Sequence, residues 1–154
     1  RLPPFHANLG KRLVKTPKIY FLDSGLLSFL LGIREPAQLV SHPLRGAVFE
    51  SWVVSEVLKS RLHAGLPADL CFYRDTQGHE VDLVLERGGS FSLMEIKSGA
   101  TISADFFSGL DAFSSAFGKK APSGTKRYVV YGGDREERAR EGDGKPSETV
   151  WMHR

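Results

Sequence analysis

Apolar and polar positions alternate most regularly over residues 78–98, GHEVDLVLERGGSFSLMEIKS. Val81, Leu83 and Leu85 alternate with Glu80, Asp82, Val84 and Glu86. After Gly88 and Gly89, Phe91, Leu93, Glu95 and Lys97 alternate with Ser92, Met94 and Ile96. A period of two on either side of a glycine pair predicts a β-hairpin. Strand side chains repeat every two residues, so Glu95 and Lys97 point to the same side as Phe91 and Leu93, toward a core or a cleft. Asp82 shares its side with Val84. A carboxylate on a partly buried sheet face needs compensation, so Asp82 and Glu95, if adjacent across the hairpin, ask for a metal ion or for Lys97. The competing reading is solvated decoration, because acids near a hairpin and a Glu and Lys two apart are common.

Upstream, an extended apolar piece over residues 19–22 runs into a helix that Asp23 or Ser24 can cap and Gly32 can end. Leu26, Leu27, Phe29, Leu30 and Leu31 surround most of that helix, which predicts its burial. A second helix, from about residue 44 to 63, carries a broad apolar stripe of Val48, Phe49, Trp52, Val53, Val57 and Leu58. Glu50 lies on its apolar margin, near Val53, Val54 and Val57, or serves the electropositive first turn of the helix. Downstream of the helices, residues 70–74 read as a strand and 75–78 as its turn. Ser103 or Asp105 can start a helix whose Phe106, Phe107, Leu110, Phe113 and Phe117 recur at core-facing spacing. Residues 127–131 read as a strand, 134–146 as a mobile charged loop and 149–152 as a last edge strand. The order is helix, three strands, helix, strand, which is an α/β class.

Composition narrows this picture only a little. The 154 residues, 41% hydrophobic and 10% aromatic, suit one soluble domain. A single cysteine, Cys71, cannot form an internal disulfide, and no apolar run approaches the ~18 residues of a membrane span, so a cytoplasmic setting is the default expectation. A net charge of +3 permits a nucleic-acid partner without requiring one. Residues 1–17, holding Arg1, Lys11, Arg12 and Lys15 with no acid, read as a basic lead-in, either a phosphate-neutralising arm or a solvated linker. No phosphate loop is present, so this stretch is expected to bind no ATP by that route, and the scattered histidines have no zinc spacing.

The sequence from Glu50 to Asp82 in EVD and then Glu95 and Lys97 in EIK resembles the PD-(D/E)XK nuclease superfamily, whose common core has the same helix and strand order. The wider pattern PKIYFLDSGLLSFLLG, RGAVFESWVVSEVLK, FYRDTQGHEVDLVLE and MEIKSG, over residues 9–113, resembles the C-terminal domain of a family of bacterial and archaeal AAA+-type ATPases. The first strand acid follows Val81 instead of a proline, a departure that the superfamily tolerates. The resemblance implies a restriction-endonuclease-like mixed sheet flanked by helices over residues 18–154, joined by residues 1–17 to an upstream ATPase region. It also implies a metal-dependent nuclease, or a module derived from one. Asp82 and Glu95, with the Ile96 carbonyl and Glu50 as accessories, would hold Mg²⁺ or Mn²⁺, and Lys97 would assist the attacking water. Arg74, with Lys11, Arg12 and Lys15, would contact nucleic acid. The alternative it leaves open is a non-catalytic binding or partner-interaction module that regulates the ATPase.

Overall fold

The structure is a computed structural model that describes residues 1–5, 16–118 and 123–133, with the backbone of 138–139 and 148–152. Lys11, Arg12 and Lys15 therefore lie outside the described residues, as does most of the charged stretch 134–146. The chain divides into two compact units: a helical unit over residues 19–68 and a sheet unit made of residues 1–18 and 69–154.

The helical unit holds α1 (Ser24–Leu30), α2 (Pro36–Val40) and α3 (Arg45–His63). Asp23 caps α1, its Oδ1 accepting the Leu26 N–H at 2.8 Å, and Gly32 follows the helix end in the left-handed region at φ 77°. The expected burial of α1 is not met. Leu26, Phe29 and Leu30 are 51%, 60% and 61% exposed, because a seven-residue helix that packs on α3 cannot hide an apolar surface that runs all the way round it. The short α2 falls where the sequence suggested only a loop, started by Pro36 at its first turn and by a reciprocal Glu35 and Gln38 capping box.

The sheet unit is a six-stranded mixed sheet in the order β1-β2-β3-β4-β6-β5. Its strands are β1 (Leu70–Arg74), β2 (Glu80–Arg87), β3 (Ser90–Lys97), β4 (Lys126–Tyr131), β5 (Arg138–Ala139) and β6 (Glu148–Met152). The hairpin between β2 and β3 turns on Gly88 and Gly89, both at positive φ (59° and 77°), as a two-residue primed turn requires. After β3 a 3-10 turn (Ala104–Phe107) leads into α4 (Ser108–Phe117), which crosses back so that β4 runs parallel to β3. Two details differ from expectation at the far side. β6 lies inside the sheet and β5, within the stretch read as a loop, forms the edge, because the short Arg138–Ala139 pair finds a partner in β6.

One face of this sheet carries the core. Val84, Phe91, Leu93, Val129 and Tyr131 pack against Leu110 and Phe113 of α4. Leu110, as expected from the aromatic stripe, is fully buried. Gly109 meets β2 so closely that a Cβ there would fall 1.7 Å from the Glu80 carbonyl oxygen, so only glycine lets α4 sit at this depth. Arg127, buried on β4, donates from Nη2 to Asp111 of α4 at 2.7 Å and ties the same two layers.

Residues 1–5, at the start of the lead-in, are packed on the sheet unit and are not a solvated linker. Leu2 and Phe5 are 5% and 6% exposed, and residues 1–5 lie as a strap along β1, with the Phe5 N–H donating to the Phe72 carbonyl at 2.7 Å and the Phe72 N–H donating to the Pro3 carbonyl at 3.1 Å. A bulge between Cys71 and Tyr73 turns the Phe72 backbone toward this strap. Apolar Leu2 and Phe5 override the basic and proline-rich composition around them.

Candidate active site

The polar site arises where the sheet forks. β2 and β3 pair from Arg87↔Ser90 up to Leu83↔Met94, whereas the start of β2 follows β1 (Tyr73↔Val81, Arg74↔Glu80) and the end of β3 follows β4 (Glu95↔Val129, Lys97↔Tyr131). One pair beyond Leu83↔Met94, Asp82 falls opposite Glu95. Here a side chain replaces the ladder: Asp82 Oδ2 accepts the Ile96 N–H at 2.9 Å. In an extended strand the carbonyl of a residue points to the same side as its N–H, which directs the Ile96 carbonyl toward the Asp82 side of β3.

Asp82 and Glu95 are each 7% exposed, unusual burial for acids. Lys97 Nζ donates to Glu95 Oε1 at 2.5 Å. The other carboxylate oxygen, Glu95 Oε2, is buried and has no hydrogen-bond partner among the described residues. Burial, and then the nearby Asp82 charge, push the Glu95 carboxyl up to about 7, with Lys97 opposing them. Asp82 Oδ1 in turn accepts from Lys18 Nζ at 3.1 Å, and Lys18 also pairs with Glu80 Oε1. Burial pushes Glu80 upward, but hydrogen bonds and charge from Arg74 and Lys18 outweigh it, so its carboxyl lies below the ordinary range.

The fold thus brings Asp82, Glu95, Lys97 and the Ile96 backbone together within the sheet unit. Arg74 is engaged by its Nε with Glu80 Oε2 at 2.5 Å, which makes it first a partner of that acid. Glu50 belongs to the helical unit, where its Oε1 accepts the Tyr20 hydroxyl at 2.5 Å. Because α3 starts at Arg45 and has no acid in its first turn, Glu50 does not serve the helix dipole as one reading held. Sequence reasoning missed Lys18 and Glu80. Glu80 shares the period-two side of Asp82, the one local signal that could have found it, whereas Lys18 is 64 positions from Asp82, too far for any local period to signal the pairing.

The arrangement supplies hard oxygen donors beside an ammonium group, suited to a divalent cation and a phosphate. It does not supply a thiolate: burial, then the Glu86 charge, push the Cys71 thiol up to about 12.

Two family descriptions match the sequence. One, a domain of unknown function (DUF4143), covers residues 45–148. The other, also a domain of unknown function (DUF8612), covers residues 1–37. Among curated relatives, uncharacterized proteins of Mycobacterium bovis and Mycobacterium tuberculosis are each 40% identical over 101 residues. That is 66% of this chain but 22% of theirs, so the match spans about a fifth of the length of these relatives. No solved structure matches the chain. No helix among the described residues is long and apolar enough to cross a membrane.

Proposed function

This chain belongs to the DUF4143 family, and on that premise we propose that its sheet unit is a metal-dependent phosphodiesterase site of the PD-(D/E)XK kind, acting on nucleic acid within a longer AAA+-type ATPase chain. The observation that carries the reading is the fork, which sets two buried acids side by side with a lysine on one of them. A stable core gains nothing from an acid whose second oxygen is buried without a donor, so Glu95 Oε2 fits a site that a cation completes.

Asp82, Glu95 and the Ile96 carbonyl are the groups that would hold Mg²⁺ or Mn²⁺. When bound, the cation supplies Lewis-acid stabilisation of the charge that develops on the phosphate. Lys97, held through Glu95 Oε1, orients the incoming water and offsets charge on the phosphate oxygens. Asp82, by accepting from Ile96 N–H, fixes the end of β3 and with it the direction of Glu95 and Lys97.

Mn²⁺- or Mg²⁺-dependent cleavage of single- or double-stranded DNA or RNA is the expected activity. Asp82→Ala and Lys97→Ala should each lower the single-turnover rate by ~10²-fold or more, as loss of an electrostatic stabiliser does, while leaving the circular-dichroism spectrum unchanged. Wild-type and variant chains that are equally inert on the whole panel, yet bind it equally well, favour a different reading. That second reading is a non-catalytic nucleic-acid-binding module; absence of both cleavage and binding would instead favour a partner-interaction module that regulates the ATPase, which the exposed apolar side chains of α1 support.

A further inference from the structure

Lys18 takes no part in the chemistry above, yet its ammonium is set against two of the acids, Glu80 and Asp82. Its backbone is pinned to the strap twice: the Leu2 N–H donates to the Lys18 carbonyl at 2.8 Å, and the Lys18 N–H donates to the Leu2 carbonyl at 3.1 Å. Leu2 is itself buried, and the strap is anchored further along at Phe72, whose ring lies 5.7 Å from Lys18 Nζ. From this fixed root the four-carbon stem delivers one positive charge to Glu80 Oε1 and Asp82 Oδ1. The Lys18 and Asp82 side chains are 16% and 10% exposed, so solvent screens the pair weakly.

We propose that Lys18 is a tethered counter-ion that competes with a divalent cation for Asp82, so that metal entry requires the lysine head to swing off the carboxylate. This rests on the reading of Asp82 and Glu95 as a metal site. The two oxygens of Asp82 divide the work: Oδ2 holds the Ile96 N–H and Oδ1 holds Lys18. A cation on Oδ1 would stand within a few ångströms of the ammonium, and the like charges repel. Glu80 keeps Arg74 on its other oxygen when Lys18 leaves, so the displacement exposes chiefly Asp82. A site whose competent form is only a fraction of the population binds its ligand more weakly by that fraction. The chain would therefore hold metal poorly at rest and better once its strap is disturbed.

The test is calorimetric titration of Mn²⁺ into the wild-type chain, Lys18→Met, Lys18→Arg and Leu2→Gly, with melting curves recorded with and without the ion. Methionine keeps the apolar stem and removes the charge. Lys18→Met is expected to bind Mn²⁺ at least tenfold more tightly than wild type and to melt lower without it, with Mn²⁺ closing that gap. Lys18→Arg should behave as wild type. Leu2→Gly loosens the strap with Lys18 intact and should tighten Mn²⁺ by a smaller factor; it decides the matter if Lys18→Met does not fold. Equal or weaker Mn²⁺ affinity in the variants, when wild type does bind, overturns the competition and leaves the metal site standing. Absence of Mn²⁺ binding in every folded chain overturns both.

Discussion

Phe113→Ala is expected to lower stability by about 3–5 kcal/mol, the range for deleting a buried phenyl ring and leaving a cavity. For a chain of this size that corresponds to a melting shift of roughly 10 °C. Phe113 is 2% exposed and sits among four aromatic rings: Phe117 at 4.8 Å between centroids, Tyr73 at 5.1 Å, and Phe5 and Phe91 each at 5.6 Å. Edge-to-face geometry with Tyr73 and Phe91 adds to the area effect. These rings come from the strap, β1, β3 and α4, so the cavity would weaken every layer of the sheet unit together. Half-buried Phe117 is the control, and its alanine variant should cost clearly less. A shift of only a degree or two for Phe113→Ala would mean that α4 does not cover the sheet as described.

Glu95 gives the second large effect, and its sign is opposite to the usual one for an acid. Its folded carboxyl is raised from the ordinary 4.5 to about 7, so between those values the folded chain holds a proton that the unfolded chain has lost. Stability is therefore fully present below pH ~4.5 and falls as pH rises through ~7, by up to about 3 kcal/mol at 1.36 kcal/mol per unit. Glutamine mimics the protonated acid. Glu95→Gln should melt with wild type at pH 4.5 to 5 and roughly 5 °C or more above it at pH 8. A variant that is less stable than wild type at pH 8 would show that Lys97 compensates the buried charge in full. A native residue that costs stability at neutral pH is a mark of function over folding.

How far the chain could be read without coordinates depended on how local each signal was. The hairpin was legible because its alternation and its glycine pair are contiguous, and the same alternation put Glu95 and Lys97 on the face of Phe91 and Leu93. The aromatic spacing of α4 was legible for the same reason. What failed was whatever depends on distant partners. A helix apolar on all sides signals burial, but α1 has α3 to pack on and leaves Leu26, Phe29 and Leu30 exposed. Leu2 and Phe5 looked like linker because basic and proline residues surround them, although two backbone ladders with Lys18 and Phe72 hold them in place. The expected compensation of Asp82 by a metal or by Lys97 was half of the matter, since Lys97 goes to Glu95 and Lys18 to Asp82. No spacing rule could have named Lys18.

The central claim, that Asp82 and Glu95 share a divalent cation at the fork of the sheet, is tested most directly by anomalous diffraction from crystals grown with Mn²⁺ and a phosphorothioate oligonucleotide. The expected result is a manganese peak within about 2.0–2.6 Å of both carboxylates, with Lys18 Nζ moved off Asp82 and a phosphate near Lys97. A map with nucleic acid bound, no peak at the fork and Lys18 still on Asp82 and Glu80 would contradict it.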